Sequence, residues 1–187
     1  MVADKEYLYA ETRDPDTIFK REIENNAWIK KHLAPGEHLG EYRVTGDFSY
    51  RSKYCAANGL VLAGDAFAFL DPVFSSGVFL GLVTGGYSAD VIEQLLQKGD
   101  TSSRQFQQYS DKTRHAVEVM RKLVYAFYHP DFNFRELFEK YPDLRADVTD
   151  GLIGNLAKDY SRLHQAMAEF MEVPADLPHG QPMVAGV

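Results

Sequence analysis

The chain has 187 residues, 45% of them hydrophobic and 13% aromatic, which is enough apolar material for a folded core. Its formal net charge of -7 leaves no basic surface for a phosphate backbone and so argues against a nucleic-acid partner. The chain has a single cysteine and therefore no internal disulfide, and no uncharged apolar run is long enough for a transmembrane segment. The N-terminus has no secretory pattern, so a cytoplasmic protein is predicted.

The N-terminal third predicts one short strand and one capped helix. Residues 6–11 contain two tyrosines in a short run that suits a strand. Asp14 is a candidate N-cap, followed by Pro15 at the first helical position and Asp16 beside the positive helix end. Apolar residues at helical spacing then predict a helix as far as Pro35.

The middle of the chain changes to an extended pattern and then to a long helix. Residues 38–68 alternate aromatic and polar positions, and Asn58-Gly59 marks a turn before an apolar run at residues 60–63 that reads as a strand buried on both faces. A helix is predicted from about Ser75 to Lys98, with Gly99 as its stop. Glycines four residues apart leave one face of this helix without side chains, so another backbone or a ligand can approach it closely.

The last third is predicted to be helical. A helix is expected after the cap at residues 100–102 and should continue to His129, with shorter helices over residues 134–140, 144–153 and 155–171. Residues 173–187 contain proline and glycine and are expected to be loosely ordered. The predicted fold class is α+β and predominantly α-helical, divided into residues 1–57, 58–99, 100–172 and the tail 173–187.

Residues 64–78 carry the pattern that points to chemistry. They combine a glycine turn bearing a carboxylate with a helix whose first turn is Ser-Ser-Gly. The carboxylate of Asp65 could accept hydrogen bonds from polyol hydroxyls, and a helix start without bulky side chains offers N–H groups to an anion or an electron-rich carbonyl. A flavin cofactor carries both a hydroxylated chain and an electron-accepting ring, so it would suit these two groups. A purely structural turn can have the same residue spacing, and the residues alone leave both interpretations open.

The segment resembles the second FAD motif of the flavoprotein monooxygenases related to glutathione reductase. Its continuation Asp-Pro-Val-Phe-Ser-Ser-Gly-Val at residues 71–78 resembles the version found in flavin-dependent halogenases, as does the Asp-Phe-Ser-Tyr at residues 47–50. The resemblance is most specific over residues 48–82 and weak after residue 99. It implies that the chain is the C-terminal portion of such an enzyme, holding a remnant of the FAD-domain sheet and a C-terminal helical region.

The resemblance also implies roles for individual residues. The implied FAD-binding set is Gly64, Asp65, Pro72, Ser75, Ser76, Gly77 and Val78. In this set Asp65 would bind hydroxyls of FAD, Pro72 would shape the turn against the isoalloxazine ring, and the N–H groups of residues 76–78 would face its pyrimidine edge. A chloride or bromide would lie at Ser76 and Gly77. Phe67 and Phe79 depart from the family pattern and could line a substrate pocket or mark a divergent site.

The family's remaining machinery is not in this sequence. It comprises an N-terminal Gly-x-Gly-x-x-Gly loop and the lysine that carries the oxidising halogen, so the resemblance implies that this chain alone is inactive. The implied activity of the intact enzyme is halogenation of an electron-rich or carrier-bound substrate by reduced FAD, oxygen and halide, with a flavin reductase as possible partner. A flavin monooxygenase or reductase without halide chemistry and a cofactor-free, non-catalytic fragment remain alternatives, and a homodimer could cover an exposed sheet edge.

Other chemistry-bearing residues receive structural interpretations. Aromatic side chains at residues 125, 128, 129, 132 and 134 could border a substrate pocket, but helical spacing favours a core role. Asp147 and Asp150 form a lone carboxylate pair that is weak support for metal or acid-base chemistry. Cys55 reads as a free thiol and no metal site is predicted.

Overall fold

The structure is a computed structural model and describes residues 3–46, 48–155 and 157–180. The chain divides into two compact units, Met1–Gly46 and Asp47–Val187. The segment boundaries at residues 57, 99 and 172 stay predictions.

The described part of the first unit, residues 3–46, contains three helices, and its start corrects one expectation. Residues 6–11 do not form a strand, because Asp4 accepts hydrogen bonds from the backbone N–H groups of Glu6 and Tyr7 and so starts helix α1 (Lys5–Leu8). A side-chain cap satisfies N–H groups that a helix start otherwise leaves without partners. Local capping therefore outweighs the strand preference of two tyrosines.

The predicted helix after Asp14 is confirmed at its start and interrupted before its expected end. Asp14 caps α2 (Pro15–Asn25) by accepting from Thr17 N at 2.9 Å. Asn26 is extended and its side chain accepts from Ile29 N at 3.1 Å, which begins a separate helix α3 (Ala27–Leu33). Asparagine favours such caps over helix interiors because its amide competes for backbone groups.

Two small antiparallel sheets open the second unit. Strand β1 (Tyr50–Arg51) pairs with β4 (Ala68–Phe69), and β2 (Ala56–Ala57) pairs with β3 (Leu60–Val61) across the predicted turn. The expectation that residues 60–63 are buried on both faces is wrong. Leu60 is 54% exposed, because β3 has a single partner strand in a short hairpin.

Helices supply most of the second unit. They are α4 (Gly77–Lys98), α5 (Gln107–Tyr128), α6 (Phe134–Lys140), α7 (Leu144–Leu152) and α8 (Ser161–Met167). The helix predicted to stop at Gly99 does so with this residue in the left-handed region (φ 68°). The last helix, predicted over residues 155–171, is shorter at both ends, because α8 begins at Ser161 and ends at Met167. The predominantly helical α+β fold class is confirmed.

The core of the second unit forms around α5, which packs against α4 and α7, and α8 packs against α7. Fully buried side chains include Tyr109, Met120, Leu123, Leu137, Leu144, Leu163 and Met167. Helix α5 supplies Tyr109, Met120 and Leu123, as expected for a helix with one core-facing side. No helix among the described residues is long and apolar enough to cross a membrane.

The end of the described chain is held by a buried charge cluster. Arg51 donates to the backbone carbonyls of Leu177 and Pro178 at 2.9 Å, and it pairs with the buried carboxylate of Glu118 at 3.3 Å. Arg121 donates to Ala175 O at 2.7 Å. Residues 175–180, expected to be loosely ordered, are thus fixed by hydrogen bonds, while residues 181–187 lie outside the described residues.

Candidate functional site

The first part of the candidate site is a tight turn at Gly64 that contacts α4. Gly64 has φ 53°, and a methyl group added there would lie 3.1 Å from Cα of Gly81. Its N–H donates to the hydroxyl of Thr84 at 2.8 Å, and that hydroxyl donates to Leu80 O at 2.6 Å. Both the conformation and the close approach therefore require glycine at position 64.

This contact explains part of the glycine spacing in α4. The sequence predicts that the glycine face admits another backbone, and at Gly81 the turn of Gly64 takes that place. Sequence reasoning missed Thr84, although it lies one turn after Gly81 on the same side of the helix. A hydroxyl beside a glycine face is a signal that could have identified it.

Asp65 lies at the exposed surface of this turn. It belongs to a 3₁₀ turn (Gly64–Ala66), and its backbone carbonyl accepts a short hydrogen bond from the hydroxyl of Tyr50. Ser52 Oγ donates to the next carbonyl, Ala66 O, at 3.1 Å. Tyr50 and Ser52 therefore fix the backbone of the turn that carries the exposed Asp65.

The second part of the site is a 3₁₀ turn at Pro72–Phe74. The Asp71 carboxylate accepts from Val73 N at 2.9 Å and caps the turn, with Pro72 in its first position. The same Oδ1 atom accepts from the hydroxyl of Tyr128 at 2.8 Å. The turn is thus anchored to the last residue of α5.

The third part is the start of α4. Ser75 N donates to Pro72 O at 2.8 Å, and Ser75 is the one non-glycine residue of the described chain with positive φ, at 54°. Ser76 is buried at 5% exposure, whereas Val78 is 78% exposed. No described side chain caps α4. Its first N–H groups and the positive end of the helix dipole are therefore available to an acceptor.

Phe67 and Phe79, the two departures from the family pattern, both have packing roles. Phe67 is 2% exposed and belongs to the core. The ring of Phe79 covers Gly154, where an added methyl group would come within 2.0 Å of its Cζ atom. Gly154 has φ 95°, which again favours glycine. The first turn of α4 is thereby fixed against the loop after α7.

The aromatic residues near the end of α5 separate into two groups. Phe132 is buried and packs edge-on against Phe134, as the core interpretation predicts. Tyr125 and Tyr128 are instead about half exposed, at 47% and 45%. Tyr128 contacts the candidate site through Asp71, and this contact has no signal in the local sequence.

The other candidate groups are paired with neighbouring charges or buried in the core. Asp147 and Asp150 each pair with Lys158 at 2.6 Å. No cluster able to hold a metal ion occurs in residues 3–46, 48–155 and 157–180. Cys55 is a free thiol without exposed surface, and burial raises its pKa to about 11.

Comparison with known proteins identifies the family. The family model for tryptophan halogenase matches residues 30–140, more than half of the chain and all of the candidate site. The chain belongs to this family.

Three relatives illustrate the similarity. A 1H-pyrrole-2-carbonyl-[peptidyl-carrier protein] brominase of Pseudoalteromonas luteoviolacea is 31% identical over 150 residues, covering 79% of this chain and 36% of that protein. A 1H-pyrrole-2-carbonyl-[peptidyl-carrier protein] chlorinase of Pseudomonas fluorescens is 27% identical over 141 residues, covering 75% and 31%. The solved structure of the flavin-dependent brominase Bmp2 superimposes with a TM-score of 0.70 at 28% identity, covering 89% and 41%. The chain therefore spans about a third of the length of these curated relatives.

Proposed function

We propose that this chain forms the flavin-facing part of an FAD-dependent halogenase that modifies an electron-rich substrate with chloride or bromide. The observation that carries the proposal is the packing of the Gly64 turn on Gly81, with the uncapped start of α4 one turn away. Family membership supports the same function. Bound FAD would supply the redox and oxygen chemistry of the reaction.

The residues of the site fit the chemistry of a flavin. The exposed carboxylate of Asp65 is free to accept hydrogen bonds from FAD hydroxyls. The N–H groups of Ser76, Gly77 and Val78 would meet the pyrimidine edge of the ring, where negative charge develops on reduction. Pro72 and Ser75 would shape the turn that leads to these groups.

A halide would use the same helix start. We assign it to the backbone of Ser76 and Gly77, because a single anion is favoured by N–H groups at the positive end of a long helix. The Ser76 side chain is buried, so the backbone rather than a mobile side chain would set the geometry. This assignment distinguishes a halogenase from a flavin monooxygenase without halide chemistry.

The substrate and partners are further parts of the proposal. Two relatives are named for pyrrole groups on a peptidyl carrier protein, which supports a carrier-bound, electron-rich ring as the substrate class. We also propose a flavin reductase as electron source and a homodimer that pairs the free edges of the two-stranded sheets.

FAD titration of the purified chain tests the proposal. We expect saturable quenching of flavin fluorescence that Gly64→Ala weakens at least about tenfold, since the new methyl group meets Gly81 and opposes the positive φ. Gly59→Ala is the matched control, because Gly59 also has positive φ (68°) but has open space around its added methyl group. A folded chain that does not bind FAD, or equal FAD affinity of Gly64→Ala and Gly59→Ala, would contradict the assignment of FAD binding to the Gly64 turn.

A bromide soak of flavin-loaded crystals tests the halide site. Bromide scatters anomalously, and we expect a peak within contact distance of the backbone N–H groups of Ser76 and Gly77. A peak only elsewhere, or none in a sample with bound flavin, would favour flavin chemistry without halide.

A further inference from the structure

Tyr128, the last residue of α5, contacts the Asp71 carboxylate of the candidate site. Its hydroxyl donates to Asp71 Oδ1 at 2.8 Å across 57 positions of sequence. The neighbouring ring of Phe127 packs edge-on against Phe74, with centroids 5.5 Å apart. Two successive residues of α5 thus hold the two ends of the Asp71–Phe74 turn.

The Asp71 oxygen that receives this bond also sets the turn itself. Asp71 Oδ1 accepts from Val73 N at 2.9 Å, and Pro72 O then accepts from Ser75 N at 2.8 Å. Ser75 adopts the left-handed conformation and passes the chain directly to Ser76, the N-cap of α4. Three hydrogen bonds therefore tie Tyr128 and the turn at residues 71–75 together, and this turn leads directly into the start of α4.

Tyr128 contributes little to the core. Its side chain is 45% exposed, and the removal of one hydroxyl leaves the bond between Asp71 and Val73 in place. A hydrogen bond to a carboxylate is among the stronger ones and has a defined direction, so it restrains position more than it adds burial. Its loss should change the geometry of the turn more than the stability of the fold.

We propose that Tyr128 is a positioning residue that holds the turn at residues 71–77 in the geometry that flavin and halide require. The inference rests on the proposed function, because flavin affinity is its final readout. It connects the C-terminal helical region to the flavin-facing turn. A change in the position of the α5 terminus would then reach the flavin-facing turn through this phenol and the neighbouring Phe127 ring.

The test compares Tyr128→Phe with Tyr125→Phe in the full chain. Tyr125 lies one turn earlier on α5 with similar exposure, and its described ring contact is with His129. We expect Tyr128→Phe to weaken FAD binding about tenfold and to accelerate hydrogen exchange in peptides covering residues 72–77, with a melting temperature close to that of the wild type. Tyr125→Phe should leave both readouts unchanged.

Asp71→Asn provides the conservative variant. Its amide oxygen can still accept from Tyr128 and Val73, so we expect it to retain most of the exchange protection. Tyr128→Phe should then have a smaller effect on FAD affinity in this background, because the bond to a neutral acceptor is weaker.

The possible outcomes separate the two proposals. Unchanged exchange and unchanged FAD affinity in Tyr128→Phe would overturn the positioning role. Equal losses in both tyrosine variants, accompanied by a lowered melting temperature, would overturn it as well, because they indicate ordinary packing. Wild-type chain that binds no FAD would refute the proposed function, and the exchange of residues 72–77 would still decide whether Tyr128 holds the turn.

Discussion

Replacement of Thr84 by valine tests whether a hydrogen bond holds the Gly64 turn against α4. Thr84 is 2% exposed, and its hydroxyl accepts from Gly64 N and donates to Leu80 O. Valine keeps the branched shape but leaves the Gly64 N–H without its acceptor. An unsatisfied donor in a buried setting costs about 1–3 kcal/mol, and we expect the free energy of unfolding to fall by that amount.

Thr84→Ser is the matched control. Serine keeps the hydroxyl and loses only a buried methyl group, which is worth about 1 kcal/mol. The Leu80 carbonyl loses little in either variant, because it also accepts the backbone bond of the α-helix. The valine variant should therefore be the less stable of the two, and exchange of the Gly64 amide should accelerate in it alone.

Urea unfolding and amide exchange together measure these effects. If the dependence of the unfolding free energy on urea concentration has the same slope in all variants, the shifts in the unfolding midpoint report stability. A valine variant as stable as the wild type, or a serine variant less stable than the valine one, would refute the reasoning. Methyl packing, rather than the hydrogen bond, would then hold the turn.

Three further predictions concern groups outside the turn. Gly154→Ala should lower the free energy of unfolding by about 2–4 kcal/mol, because the new methyl group overlaps the Phe79 ring and alanine disfavours a φ of 95°. In a double-mutant cycle, Phe79→Ala should recover part of that loss. Cys55, with its pKa raised to about 11 by burial, should react with a thiol reagent at pH 8 at least about a hundredfold more slowly in native than in unfolded protein, and equal rates would contradict its burial. Burial, with Lys122 nearby, lowers the pKa of His164 to about 4, so the folded state favours the neutral ring. The free energy of unfolding should fall between pH 7 and pH 5 by up to about 2 kcal/mol, and His164→Gln should remove this component. The same pH dependence in that variant would assign it to carboxylates instead.

Local signals in the sequence predict the helix boundaries well where one residue decides them. Asp14 followed by proline starts α2, and Gly99 ends α4 in the left-handed conformation. Each helix end leaves backbone groups without partners, and a residue within the same turn satisfies them. The strand expected at residues 6–11 fails for the same reason, since the cap of Asp4 lies just upstream of the tyrosines. The buried interpretation of residues 60–63 fails because composition does not reveal how many partner strands a segment has.

The candidate site is predictable as a list of residues but not as an arrangement. The resemblance identifies residues 64–78 from their order alone, whereas the structure places a second set of residues around them. Tyr50 donates to the Asp65 carbonyl, and Tyr128 donates to the Asp71 carboxylate. Thr84 accepts from the Gly64 N–H. All three lie outside residues 64–78. Thr84 has a helical-spacing signal beside the glycine face, but no spacing connects Tyr50 or Tyr128 to the motif, so only the folded chain brings those two to it.

These supports divide the motif into two parts with different anchors. The turn that carries Asp65 is held by α4 and β1, through Thr84 and Tyr50. The turn at Asp71 is held by the end of α5, whose side chains extend into the helical region. A change in that region would therefore reach the start of α4 while leaving the Asp65 turn in place. The two parts of the motif are therefore expected to respond separately to substitutions at Thr84 and at Tyr128.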